Sequence, residues 1–159
     1  MLVQGTLQLP GDKSISHRAI MLSSIADGVS YVRNLNDGAD LQSTINILKD
    51  CGASIQLRDN KIVINGKELH SPSNNLDCGN SGTTTRLVAG LLASQKLTFS
   101  LIGDESLSKR PMKRIVTPLV AMGCKISSNN GLLPLSIDAS DGITAIDYDM
   151  TVASAQVKS

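Results

Sequence analysis

The sequence predicts an α/β (α+β) protein built from repeated βαβαββ units, and three observations carry that expectation. "GDKSISHRAIMLSSIADGVSYV", from Gly11, superimposes on "GNSGTTTRLVAGLLASQKLTFS", from Gly79. Gly11 then meets Gly79, Arg18 meets Arg86 and Tyr31 meets Phe99, all at an offset of 68. Further on, "CGASI" (51–55) matches "MGCKI" (122–126) at an offset of 71, as three inserted residues would produce. Each copy also switches between the 3.6 period of an amphipathic helix and the alternation of a strand in the same order.

Each unit opens with a Gly-rich turn and a helix, about 14–26 in the first copy and 82–94 in the second. A strand follows, "VSYVRNL" or "LTFSLIG", and a polar turn leads to a second helix at about 39–51 and 111–122. Both second helices run into a glycine, Gly52 and Gly123, which suits a left-handed C-terminal cap. Pro111 fits the first turn of its helix, where no N–H is needed. Two short strands around a polar turn complete each unit: "ASIQL" with "KIVIN", then "CKISS" with "LPLSI". Pro72 and Pro134 mark breaks between or within units. "SAQVKS" (154–159) falls beneath "KSISHR" and "SGTTTR" and reads as the start of a third copy. The expected divisions are about 13–76, about 77–146, and a third unit from about 147. Because its own repeat predicts more helix after Ser159, the chain reads as a piece of a longer protein.

Composition narrows the function. The 159 residues have 41% hydrophobic content and a mean hydropathy of +0.03, which fits a globular domain with a real core. No apolar run approaches a membrane span, and "MLVQGTLQLPG" lacks the layout of a signal peptide, so a cytoplasmic location is the expectation. Fifteen basic and fourteen acidic residues leave a net charge of +1, and one Phe, two Tyr and no Trp leave few stacking surfaces. Both facts argue against a nucleic-acid binder. Cys51, Cys78 and Cys124 are odd in number and widely spaced, so neither zinc nor a disulfide framework is expected. Cys51 and Cys124 read as small core residues at helix ends.

The polar chemistry gathers at helix starts. A helix N-terminus presents unpaired N–H donors and a partial positive charge, and so attracts anions. The repeat sets three such mouths at equivalent positions: Lys13-Ser14, Gly82-Thr83 and Ser154-Ala155-Gln156. Ser16 and Thr84 are assigned to capping. Lys13, Arg18 and Arg86 need another reason, because a cation placed against the positive end of a helix is unfavourable unless an anion sits between them. Arg110 precedes Pro111 in extended backbone and can project over the helix mouth as a ligand contact. Lys113 and Arg114 read as a solvated face. "PGDKS" is not a P-loop, because Asp12 stands where that motif needs glycine.

"LPGDKSISHRA", "GNSGTTTRL", "GDESLSKRPM" and "SAQVKS", in this order and spacing, resemble the 5-enolpyruvylshikimate-3-phosphate synthases. The motifs span almost the whole chain. The resemblance implies one globular half of the two-domain enolpyruvyl transferase fold, an inside-out α/β barrel. It implies transfer of the enolpyruvyl group of phosphoenolpyruvate to the 5-hydroxyl of shikimate 3-phosphate, without metal or organic cofactor, in an enzyme that glyphosate inhibits and that works as a monomer. Carried over by motif, Lys13, Ser14, Arg18, Ser154 and Gln156 would hold shikimate 3-phosphate. Lys13, Gly82, Arg110 and Gln156 would hold phosphoenolpyruvate, with Asn80, Thr83 and Arg86 in support.

Ala155 departs from the pattern, since many relatives carry a second serine there. The resemblance also places residues 1–12 in a strand or crossover segment of the other half, and residues 13–159 in an incomplete substrate-binding domain. The proton-transfer groups and further clamps would lie in that other half, so residues 1–159 alone are expected to be inactive. Two alternatives compete: a UDP-N-acetylglucosamine enolpyruvyl transferase, whose opening motif has Lys-Asn where this chain has Lys13-Ser14, and a non-catalytic phosphate- or RNA-binding repeat module using "KRPMKR".

Overall fold

A computed structural model describes residues 4–7, 9–58, 61–150 and 153–159. The expected segment 1–12 and the start of the third copy fall partly outside these residues. The first copy consists of α1 (Lys13–Ile25), β1 (Gly28–Arg33), α2 (Ala39–Asp50), β2 (Ser54–Arg58) and β3 (Lys61–Gly66). The second consists of β4 (Leu76–Asp77), α3 (Gly82–Ser94), β5 (Thr98–Ile102), α4 (Glu105–Ser108), α5 (Lys113–Ala121), β6 (Lys125–Asn129) and β7 (Leu132–Asp138). A last turn of helix, α6, spans Ala155–Lys158.

The strands form two sheets. In the first the order is β1-β3-β2, antiparallel throughout, with Tyr31 opposite Val63 and Ile55 opposite Ile64. In the second the order is β4-β5-β7-β6, and only the β4–β5 pair is parallel. That pair brackets α3, which makes β4-α3-β5 a crossover unit and aims the N-terminus of α3 off the end of β4.

Alternation decides which face of each sheet is buried. In β7 the pattern puts Leu133, Leu135 and Ile137 inside and Pro134, Ser136 and Asp138 outside. The inward side chains meet the apolar stripes of the helices. Ile20, Ile47, Leu48 and Ile64 form the first half of the core, and Leu76, Val88, Leu92, Leu101 and Leu135 the second. Each such side chain contributes about 1.5–3 kcal/mol by leaving water. Helices α1, α2 and α3 pack on one another between the two sheets. This brings the starts of α1 and α3 together although 69 positions separate them.

The caps follow the expectation. Gly52 (φ +95°) and Gly123 (φ +109°) take up the left-handed conformation after α2 and α5. Ala53 N–H donates to Leu48 O at 2.8 Å, and Cys124 N–H to Leu119 O at 3.0 Å, which ties off each helix end. Cys51, Cys78 and Cys124 are buried and unpaired with one another. Burial pushes the thiols of Cys51 and Cys78 up to about 12 and about 11.

Three expectations are corrected. Pro111 is not in the first turn of α5: the helix starts at Lys113, because the Met112 N–H is taken by Gly131 O at 2.8 Å and its side chain is fully buried. The stretch before it is not a plain polar turn but holds α4, nucleated by Asp104, whose carboxylate accepts from Leu107 N–H at 2.7 Å. Pro134 does not interrupt β7, which carries it on the outer face near a register shift at Ser128/Asn129.

Candidate functional site

Helix α1 is capped by Asp12, whose carboxylate accepts from Ile15 N–H at 2.7 Å. Ser81 caps α3 by accepting from Thr84 N–H at 3.1 Å. Ser16 and Thr84 are therefore not the caps that the sequence suggested. Ser16 Oγ donates to Asp12 O and accepts from Asn36 N–H, which fixes the loop ahead of α2. Thr84 is fully buried and turned toward α2.

With the caps in place, Lys13 and Ser14 sit in the exposed first turn of α1, and Gly82 and Thr83 in the first turn of α3. The Lys13 ammonium pairs with the carboxylate of Asp40, in the first turn of α2. Arg18 folds back along α1: Nη1 donates to Ser14 O at 3.2 Å and Nη2 to Ser159 Oγ at 2.6 Å.

The other group forms over the mouth of α3. Arg86 Nη1 donates to Gly82 O at 3.3 Å and to Gln156 Oε1 at 3.0 Å. Gln156 Nε2 donates to Thr83 Oγ1 at 3.0 Å. Arg110 Nη2 donates to Asn80 Oδ1 at 2.6 Å, and Asn80 Nδ2 to Asp104 Oδ2 at 2.7 Å. Arg110 therefore projects over the mouth of α3 rather than that of its own α5. At Gly82 a Cβ would lie 2.8 Å from Arg86 Nη1, so the missing side chain makes room for that guanidinium, while Arg110 Nη1, at 3.6 Å, would only be in ordinary contact with it.

The electrostatics here are one-sided. The guanidinium of Arg86 is pushed below the usual arginine range, first by burial and then by the charges of Arg114 and Arg110. Three cations share this corner, and an anion bound between them would relieve both effects. Arg114, expected as a solvated residue, is exposed yet contributes to this field. Asp104 is held below the ordinary carboxylate range, chiefly by the Asn80 amide and then by Leu107 N–H, so it stays an acceptor that orients Asn80.

Of the residues singled out from sequence, Asn80, Gly82, Thr83, Arg86, Arg110 and Gln156 form one hydrogen-bonded or contacting group. Lys13, Ser14 and Arg18 form a second on α1. Helix α6 bridges them, with Gln156 on Arg86 and Ser159 on Arg18. Ser154 occupies the position before α6, and its carbonyl accepts from Val157 and Lys158 N–H. Grooves of about 240 Å³ and about 500 Å³ flank α6, the first beside Arg86 and the second beside Arg18. Sequence reasoning missed Asp40, Thr44 and Ser81, and gave His17 no role. The signal was a polar residue on an apolar stripe: Thr44 lies among Leu41, Ile45 and Leu48, all buried.

Known proteins resemble the chain along nearly its whole length. The family model for EPSP synthase (3-phosphoshikimate 1-carboxyvinyltransferase) matches residues 2–159. A 3-phosphoshikimate 1-carboxyvinyltransferase of Ruthia magnifica subsp. Calyptogena magnifica is 49% identical over 160 residues, which cover 99% of this chain and 37% of that protein. One of Streptococcus pyogenes serotype M1 is 47% identical over 162 residues, covering 99% and 38%. The solved EPSP synthase of Acinetobacter baumannii superimposes with a TM-score of 0.90 at 42% identity, covering 97% of this chain and 36% of that one. The chain thus spans little more than a third of the length of these relatives. Matched by the family model over residues 2–159 and by these relatives in sequence and backbone along almost its whole length, the chain belongs to the EPSP synthase family.

Proposed function

We propose that the protein to which these residues belong transfers the enolpyruvyl group of phosphoenolpyruvate to the 5-hydroxyl of shikimate 3-phosphate. The hydroxyl oxygen adds to C2 of phosphoenolpyruvate as C3 takes up a proton. The tetrahedral adduct then expels phosphate and gives up a methyl proton to restore the enol ether. The observation that carries this reading is the convergence of Arg86, Arg110 and Gln156 on the mouth of α3 at Gly82, a cationic corner suited to a small organic phosphate.

In this reading Lys13, Ser14, Arg18, Ser154 and Gln156 hold shikimate 3-phosphate. Lys13, Gly82, Arg110 and Gln156 hold phosphoenolpyruvate, and Asn80, Thr83 and Arg86 support them. Residues 13–159 act as part of one substrate-binding domain, and the proton-transfer groups come from a second half that closes over the substrates. Glyphosate competes at this site, and the enzyme works as a cytoplasmic monomer. The match of the family model along residues 2–159 favours this activity over transfer to UDP-N-acetylglucosamine or a non-catalytic module.

Phosphate release from the two substrates tests the proposal. The full-length protein is expected to turn over, and residues 1–159 alone are expected to show none above blank. Turnover by the shorter piece would overturn the division of labour. Amide shifts at Lys13–Arg18 and Ser154–Gln156 on titration with shikimate 3-phosphate are the second expectation, and no change at millimolar ligand would remove these residues from the site.

A further inference from the structure

Behind the charged groups runs a line of buried polar side chains on three helices. His17 of α1, Thr44 of α2 and Thr84 of α3 are each 0% exposed. His17 Nδ1 lies 2.8 Å from Thr44 Oγ1, which lies 2.9 Å from Thr84 Oγ1. Thr84 Oγ1 in turn reaches Asp40 O at 3.0 Å and Ser81 Oγ at 2.7 Å. Polar groups this deep are costly unless each finds a partner, and a hydroxyl has a single proton to give.

One direction gives every proton along the line an acceptor, with Asp40 O also 3.4 Å from Thr44 Oγ1. The Asp40 carbonyl can only accept, so the Thr84 proton goes forward to it or to Ser81 Oγ. Thr84 then accepts from Thr44, and Thr44 accepts from His17 Nδ1–H. Run this way, Thr44 and Thr84 each donate once and accept at least once. It also leaves His17 Nε2, buried without a hydrogen-bond partner among the described residues, as a bare ring nitrogen rather than a stranded N–H. Asp40 is the hinge between this interior and the surface: its main-chain oxygen receives Thr84, and its carboxylate holds Lys13.

We propose that His17, Thr44 and Thr84 form a positioning relay that fixes the Lys13 ammonium relative to the Arg86–Arg110 corner. Thr84 and Arg86 share α3, so the bond from Thr84 to the backbone of Asp40 refers the place of Lys13 to the helix that carries the other clamp. None of the three touches substrate. They act through Asp40. This inference rests on the reading that Lys13 and the arginines hold the anionic groups of the two substrates.

The test uses the full-length protein with shikimate 3-phosphate and phosphoenolpyruvate. Thr84→Val keeps the shape and removes the hydroxyl. Its KM for shikimate 3-phosphate is expected to rise about tenfold, equivalent to ~1.4 kcal/mol of binding, with Thr84→Ser restoring it to within about twofold. Thr85→Val is the control: Thr85 is equally buried but donates to Ser81 O and stands outside the relay. It is expected to lower the melting temperature comparably and to leave KM unchanged. Equal KM values in Thr84→Val and Thr85→Val, or no recovery in Thr84→Ser, would overturn the relay. If Thr84→Val does not fold, Thr44→Val replaces it with the same expectation and the same refutation. Lys13→Met separates the two claims: an unchanged KM there would overturn the substrate site itself and the relay with it, whereas a raised KM beside a silent Thr84→Val would overturn the relay alone.

Discussion

Gln156 and Arg86 meet side chain to side chain at 3.0 Å, the amide oxygen accepting from the guanidinium, while the amide nitrogen holds Thr83. A neutral partner orients Arg86 without cancelling its charge, which leaves that charge available to an anion. Gln156→Glu would supply the cancelling carboxylate. The full-length variant is expected to bind shikimate 3-phosphate at least about tenfold more weakly in calorimetric titration, with little change in melting temperature.

Gly82→Ala tests the close approach at the mouth of α3. The nearest atom to the new methyl is the tip of the flexible Arg86 side chain, 2.8 Å away, so the fold can absorb the change by displacing the guanidinium. Thermal melting should stay within a few degrees of the parent, as the alanine also favours the helix by about 1 kcal/mol. The KM for phosphoenolpyruvate should rise. An unchanged KM would show that Arg86 needs no room there.

The two glycine caps separate backbone strain from steric conflict. At Gly123 a Cβ would meet nothing closer than Gly142 O at 3.8 Å, so Gly123→Ala should cost only the left-handed backbone penalty, about 1–2 kcal/mol. At Gly52 the Cβ would lie 2.5 Å from His70 Nε2, and the ring must move as well. Denaturant midpoints are expected to rank Gly52→Ala below Gly123→Ala.

Acid should weaken the fold in two steps. Burial lowers the pKa of His17, and the charges of Lys13 and Arg18 add to this while Asp40 opposes it. The unfolded chain therefore takes up its proton first as pH falls below about 6.5, and stability declines through that window until the folded-state pKa is passed. Asp138 is held at about 2 by the Ser140 hydroxyl and N–H and by Thr98, so its contribution is lost only as pH falls from the ordinary carboxylate range through about 2. Chemical denaturation across pH 7 to 4.5 should show the first step in the parent and a flatter profile in His17→Asn.

Leu101, fully buried on β5, gives a core benchmark: Leu101→Ala should cost about 2–5 kcal/mol, read from urea midpoints.

The repeat made most of the architecture legible, because equal patterns at a fixed offset identify elements that single-segment periodicity leaves uncertain. Helices and strands fall within a residue or two of their expected bounds, apart from β4 and α4, for which none were expected. A four-residue helix has too few positions to show a period, and α5 begins late because Met112 bonds to Gly131, 19 residues ahead. The site was legible where charge carried the signal, as at Arg86 and Arg110. It was illegible at Thr84, because a hydroxyl near a helix start suits a cap and an interhelical bond equally well. Only tertiary placement distinguishes the two.

The three sequestered thiols have a practical corollary. Each must be both uncovered and ionised before an alkylating reagent can act, and burial opposes ionisation at all three. Cys51 ends α2, Cys78 precedes α3 and Cys124 follows α5, so their separate labelling rates would time the local opening of three neighbouring segments without any engineered probe.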